Sequence, residues 1–230
     1  MAIRHILLPL AAVFLLCSAP SYAEPVSFFE NCKLPSGSMK RKGSTWTFRL
    51  RHRDVGGCSM DPTARHGAPY WERAEVRSDY LKKGETYEVT FEFNFDPDTS
   101  SSARTSFFQI HTHNEECPGC INALALKAKE DRLGASVLFQ NGVHLEYVFD
   151  ITRASVAGKW IRVRIVAGTA SGNNPILVVI DGKEVLRKET LFVPAKGRPY
   201  FKMGLYRPGS AEKLPTDRVS IRNVEARILR

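Results

Sequence analysis

The sequence predicts an all-β fold, a sandwich or barrel of short strands. Three observations carry that expectation. Polar and apolar residues alternate with period two in segment after segment, as in half-buried strands. Turn signals such as Asn141-Gly142 and Asp181-Gly182 recur between those segments. No segment sustains the apolar period of a helix.

The strands follow in order. Residues 45–53 alternate, with Trp46, Phe48 and Leu50 on one face and Arg49, Arg51 and Arg53 on the other. Residues 73–77 read R-A-E-V-R and put Arg73, Glu75 and Arg77 on one face. Residues 86–95 alternate cleanly until Asp96-Pro97-Asp98 stops them. Residues 105–113 and 122–129 are two further strands. Residues 137–140 and 143–149 flank Asn141-Gly142 as a hairpin, and residues 176–180 and 183–187 flank Asp181-Gly182 as another. Between them residues 160–166 form a strand, with Arg162 and Arg164 as a solvated or cleft-lining row. Residues 200–206 and 219–228 close the chain, the last with a change of phase near Asn223 that predicts a bulge. Residues 99–102 and 168–174 are the candidate mobile loops.

Residues 1–23 read as a secretory signal peptide. Arg4 and His5 precede an apolar run over residues 6–17, and Ser21-Tyr22-Ala23 is a small-x-small cleavage site. Residues 24–230, a further 230 − 23 = 207 residues, are enough for one domain with a full core. No later run is apolar enough to span a membrane. Export to the periplasm or the exterior and a monomeric state are expected. The net charge of +9 falls to +8 without Arg4. In an exported protein that excess fits an anionic polysaccharide or cell surface better than nucleic acid, although plain solubility accounts for charge alone equally well.

Cys17 leaves with the leader, so Cys32, Cys58, Cys117 and Cys120 remain. An even count in an exported chain points to disulfides. Cys117–Cys120 as a local clip and Cys32–Cys58 as a longer bridge are the favoured pairing of the three possible. A metal site combining His111, His113 and the C-P-G-C segment comes second, since thiolate zinc is less usual in an oxidising compartment. A redox pair comes third, because the helix-rich βαβ context is missing.

Two more segments complete a set with R-A-E-V-R: Q-I-H at residues 109–111 and Y-F-K-M-G-L-Y at residues 200–206. Alternation puts Gln109 with His111 on one face, and Tyr200, Lys202, Gly204 and Tyr206 on another. Removing the C5 proton of a uronate is hard while its carboxylate is charged, so a β-eliminating site must neutralise that carboxylate and stabilise the enolate-like intermediate. Arg73 offers a planar fork and Gln109 an amide donor. A base must reach C5 and an acid must protonate the leaving O4. His111 and Tyr206 suit these tasks, and cationic neighbours would lower the Tyr206 pKa. Arg77, Lys202 and Tyr200 are expected to bind the polymer, while Glu75 holds Arg73 and Arg77. No metal or cofactor is required.

The three segments, in this order, resemble the signature of the alginate-lyase-type polysaccharide lyases, marked by R-x-E-x-R, Q-[IV]-H and Y-F-K-x-G-x-Y. The resemblance runs from about Arg73 to the end of the chain. It implies a concanavalin-like β-jelly-roll, a sandwich of two curved antiparallel sheets with the site in a concave cleft. In the resembling family the residue matching Tyr206 donates to the glycosidic oxygen, and the matching His or Tyr takes the proton. Arg207 and Pro208 after the third segment fit the related heparin-lyase-like and glucuronan-lyase-like enzymes as well. The Gln common near the end of the alginate-lyase segment is absent, which bears on substrate more than on reaction. Ile110 is associated in the family with guluronate-containing blocks.

Each segment has a plainer reading. R-x-E-x-R on its own is more often a surface ion-pair ladder. A lone strand His is more often structural, and two strand Tyr are ordinary. It is their conjunction that points to a lyase. A non-catalytic jelly-roll binding anionic polysaccharide would need no His–Tyr pair. A hydrolase would need two carboxylates about 5–5.5 Å apart for retention, and no E-x-D-x-E pattern is present.

Overall fold

A computed structural model describes residues 23–59, 61–64, 67–97, 104–113, 122–139 and 142–229. The chain opens with β1 (Glu24–Pro25), β2 (Phe28–Phe29), β3 (Met39–Lys42) and β4 (Thr45–Leu50). Then come β5 (Trp71–Tyr80), β6 (Thr86–Phe95), β7 (Thr105–His113), β8 (Asn122–Lys129), β9 (Arg132–Leu138) and β10 (His144–Thr152). A four-residue helix, α1 (Arg153–Val156), leads into β11 (Ile161–Gly168), β12 (Gly172–Ile180), β13 (Lys183–Val193), β14 (Arg198–Pro208) and β15 (Asp217–Leu229).

These strands make the two antiparallel sheets of a jelly-roll sandwich. One has the order β13-β12-β11-β6-β15-β4-β3, with β1 also paired to β15, and the other has the order β10-β9-β8-β7-β14-β5-β2. The last two strands in sequence enter the middle of the sheets. β14 lies between β7 and β5, and β15 between β6 and β4. Between the sheets, Phe48, Phe91, Phe93, Phe95, Phe107, Phe108 and Phe201 are all essentially inaccessible. Phe91 of one sheet stacks on Phe108 of the other at 4.4 Å. Each such side chain contributes about 1.5–3 kcal/mol by leaving water.

Most local expectations hold. β6, β7 and β8 match their expected limits, and Tyr87, Val89, Phe91, Phe93 and Phe95 are buried as the alternation requires. Ile180 pairs with Lys183 across Asp181 and Gly182, which both take positive φ (51° and 82°) as a tight hairpin turn demands. The β15 register shifts between Arg222 and Glu225, with Asn223 at φ 53°, so the bulge falls where the phase changes.

Other expectations are corrected. β4 stops at Leu50 rather than residue 53, because the Asp54 carboxylate accepts from the Arg51 backbone N–H at 2.9 Å and turns the chain. Residues 168–174 are a tied hairpin, not a mobile loop. The Asn174 carboxamide accepts from Ala170 N and donates to the carbonyls of Ala170, Gly172 and Leu191. Of the two readings of Arg162 and Arg164 the solvated row holds, and neither lines the face bearing the motifs. They lie on β11 in the other sheet, where Arg162 is exposed and Arg164 pairs with Glu88 at 2.5 Å. Cys32 and Cys58 are bonded. The leader up to residue 22, the loop at 99–102, and Cys117 and Cys120 lie outside the described residues.

One end of the sandwich is closed by buried charge. Arg207, fully buried, donates to Glu72 Oε2 at 2.6 Å and to Asp217 Oδ2 at 2.9 Å. Arg153 and Thr105 also donate to Asp217. Arg207 therefore joins the two sheets from inside, and it points away from the face that carries its neighbour Tyr206.

Candidate active site

The sheet order places the three motif strands side by side as β7-β14-β5. Tyr200 faces His111 across β14 and β7, and Lys202 faces both Gln109 and Arg77. Tyr206 faces Arg73 on one side and Ser106 on the other. Ala74, Val76, Phe108, Ile110, Phe201, Met203 and Leu205 go into the core. Alternation therefore turns Arg73, Glu75, Arg77, Gln109, His111, Tyr200, Lys202 and Tyr206 to the opposite face of this one sheet. Gly204 faces Glu75 at φ 130°, and a Cβ there would lie 2.2 Å from the Ala74 carbonyl oxygen. The glycine in the third segment thus lets β14 approach β5 where Arg73, Glu75 and Tyr206 meet.

Glu75 is the hub. Its carboxylate accepts from Lys202 Nζ at 2.9 Å, accepts a short hydrogen bond from Gln109 Nε2, and lies 3.8 Å from Arg73 Nε. The expectation that Glu75 also holds Arg77 is not met. Arg77 donates to the Ser78 carbonyl and packs over the rings of Tyr200, Tyr80 and Phe29 instead. Lys202, Gln109 and Tyr200 are more deeply buried than polymer-gripping groups on an open strand face would be. Burial lowers the Lys202 pKa, and Glu75 opposes that shift.

A second acid, Asp61, joins the site from outside the three motif strands. The Asp61 carboxylate, wholly buried, accepts from Arg73 Nη2 at 3.0 Å, with Arg73 Nε 3.0 Å from its other oxygen. Burial raises the Asp61 pKa, against the lowering effect of Arg73. Burial also acts to lower the Arg73 pKa, but Glu75, Asp61 and the Tyr206 hydroxyl outweigh it and keep the guanidinium charged. The Asp61 segment is held by its own backbone and by the bridge, since Asp61 N donates to Cys58 O and Trp71 N donates to Asp61 O. No local pattern in D-P-T-A marks Asp61. Only a long-range contact reveals it.

The two proton-transfer candidates sit on either side of the Lys202–Gln109 row. The Tyr206 ring stacks on Trp71 at 4.9 Å, with the Arg73 guanidinium 4.8 Å from its centroid. The His111 ring packs on Tyr200 at 4.7 Å. Burial, then the charges of Lys202, Arg73, His113 and Arg77, depress the His111 pKa well below 6.5, so the imidazole is neutral at neutral pH. Its Nδ1 is buried without a hydrogen-bond partner, as is Oδ1 of Asn122, the residue opposite it on β8. Native proteins leave few such atoms unpaired, so a water or a ligand completes this corner. Burial pushes the Tyr200 hydroxyl pKa up, so Tyr200 stays protonated.

The face continues onto β8 and β10. Lys127 is opposite Ser106 on β7, and its Nζ is 3.3 Å from Glu146, which also pairs with Arg104. Burial, reinforced by the Arg104 charge, brings the Lys127 pKa down to about 8. Among the described residues no group of three His, Cys, Asp or Glu is placed to hold a metal ion. The alternative metal site of His111, His113 and the C-P-G-C segment draws on Cys117 and Cys120, which lie outside the described residues.

A family model described as polysaccharide lyase matches residues 35–220. Among solved structures, alginate lyase A1-II', a member of polysaccharide lyase family 7, superposes with a TM-score of 0.62 at 14% identity, covering 86% of this chain and 93% of that one. Alginate lyase PA1167 from Pseudomonas aeruginosa gives 0.59 at 17% identity, covering 84% and 87%. Alginate lyase AlgAT5 gives 0.56 at 15% identity, covering 85% and 84%. No curated protein sequence matches significantly. At these identities the structures establish the fold, and the family match spans most of the chain, so this chain belongs to the polysaccharide lyase family.

Proposed function

We propose that the protein is exported and cleaves an acidic, uronate-containing polysaccharide, alginate or a related polymer, by β-elimination. The observation that carries this reading is the single sheet face on which a neutral His111 and a Tyr206 packed beside Arg73 flank the Glu75–Lys202–Gln109 cluster. The Cys32–Cys58 bridge supports export, and among the described residues no helix is long and apolar enough to cross a membrane.

In this reading the uronate carboxylate lies over Arg73 and Gln109. Gln109 has two amide hydrogens, of which Glu75 takes one. Arg73 keeps its charge, and with it the field that stabilises the enolate-like intermediate. His111 takes the C5 proton, which its depressed pKa permits even in mild acid. Tyr206 donates its hydroxyl proton to O4 as the C4–O4 bond breaks and the C4–C5 double bond forms. Glu75 positions Arg73, Gln109 and Lys202. Arg77 completes the polymer contacts, while Lys202 and Tyr200, almost fully buried, support Gln109 and His111.

The test is incubation with alginate, glucuronan and heparin-type polymers, followed by ultraviolet absorbance and mass spectrometry of the products. Unsaturated oligosaccharides are expected. Products heavier by one water would mean hydrolysis, and the elimination reading would be lost. Retention on the polymers without any cleavage would leave a binding protein.

A further inference from the structure

We propose that Phe29, Arg77, Tyr80 and Arg198 form a platform at the β2 edge of the seven-stranded sheet that binds a second uronate unit, beyond the one being cleaved. This rests on the proposed function and extends it past His111, away from Tyr206. The platform depends on an irregularity in β5. By alternation Tyr80 belongs with Ala74 and Val76 on the core face. The β5–β14 register instead pairs Arg77 with Lys202 and Tyr80 with Tyr200, setting Ser78 and Asp79 of β5 against Phe201 alone of β14. That bulge turns Tyr80 to the side of Arg77.

The side chains then interleave. The Tyr80 ring meets Tyr200 edge-on at 5.5 Å. Arg198 lies 3.7 Å from the Tyr80 centroid. Arg77 lies 4.4 Å from the same ring and 5.3 Å from Phe29, which pairs opposite it on β2. Phe29 is 43% exposed and Tyr80 37%, so part of each side chain reaches solvent. Among the described residues neither Arg77 nor Arg198 has an ion-pair partner. The acid-bound arginines of this face and the next, such as Arg73 with Asp61 and Arg104 with Glu146, are arranged differently.

Ordinary surface cation–π pairing accounts for one arginine on one ring. It does not account for two cations without acids converging on one ring, Tyr80. The recognised chemistry is that of an acidic sugar. A pyranose presents an apolar C–H face to an aromatic ring, and its carboxylate matches a guanidinium fork. A neutral sugar would use the rings and leave both arginines unused. The platform continues from the Tyr200–His111 row, so a polymer lying over the site in the β14 direction reaches it next.

The experiment compares Tyr80→Ala, Tyr80→Phe and Arg198→Ala with the parent protein on long polymer and on the shortest oligosaccharide cleaved. Thermal unfolding serves as a control for folding. Tyr80→Ala and Arg198→Ala are expected to raise KM on the long polymer about tenfold, as loss of one charged or stacking contact implies. kcat and the short substrate should change much less, and Tyr80→Phe should restore KM because the ring remains. Unchanged KM in both alanine variants overturns the platform, as does an equal loss on short and long substrates. If the parent protein cleaves none of the polymers, the proposed function fails on its own. Gel retardation by alginate then decides the platform separately: weaker retardation of Arg198→Ala supports it, and equal retardation removes it.

Discussion

Tyr206 is fixed by packing on both sides, Trp71 against one face and Arg73 beside the ring. Removing only its hydroxyl therefore leaves the ring seated. Tyr206→Phe should retain the melting temperature and polymer binding but lose about 10²–10⁴-fold in kcat, the usual worth of a positioned proton donor. Kinetics near those of the parent on every cleavable polymer would reduce Tyr206 to a packing residue. Glu75 is a different case. Its carboxylate and the Lys202 ammonium are both almost fully buried and hold each other. Glu75→Ala leaves a buried charge without its partner, and a loss of about 3–5 kcal/mol is expected. Urea unfolding measures it. A loss below about 1 kcal/mol would mean that Asp61 and water take over the role of Glu75.

At the scale of elements, the site depends on how closely β14 approaches β5. Gly204 sits at that contact with a Cβ position 2.2 Å from Ala74 O and 2.7 Å from Glu75 Cα. Backbone cannot retreat as the end of a side chain can. Gly204→Ala should destabilise the fold by about 1–3 kcal/mol and lower activity further than that loss explains, because the strands carrying Arg73 and Tyr206 are pushed apart. Activity retained at temperatures well below the melting point would contradict this. The second element is the segment around Asp61. Cys32–Cys58 closes a sequence separation of 26 residues and anchors the stretch from which Asp61 reaches Arg73. A Cys32→Ser, Cys58→Ser double variant should lose about 2–4 kcal/mol by the loop-closure argument. Its KM should rise more than its kcat falls if Arg73 is released to a looser position, whereas a purely structural bridge would change neither below the melting transition.

For the whole molecule, the buried cationic face makes stability depend on pH. His111 binds its proton with a pKa near 6.5 when unfolded and well below that when folded. Between those two values the unfolded chain carries a proton that the folded chain does not, so stability rises with pH through that window and levels off above 6.5. Unfolding midpoints measured from about pH 5 to 7 should show that slope, and His111→Gln should flatten it. An unchanged slope in the variant would assign the effect to other groups.

The strand pattern, and three segments whose residue types suit carboxylate binding and proton transfer, are legible in the sequence. Period-two alternation is a local property, and it correctly turned Arg73, Gln109, His111 and Tyr206 out of the core. It also exposed the Asn223 bulge, because a bulge breaks the phase of its own strand. The rest is long-range and is set by how the strands assemble. β14 is last but one in sequence, yet it lies between β7 and β5, and that insertion brings the three segments onto one face. Asp61 joins Arg73 from a segment without a period, so nothing local marks it. Glu75 holds Lys202 and Gln109 rather than Arg77, because register, not sequence spacing, sets which side chains meet across strands. Tyr80 changes face for the same reason. A one-residue slip between strands belongs to the pair of strands, and neither strand carries it alone.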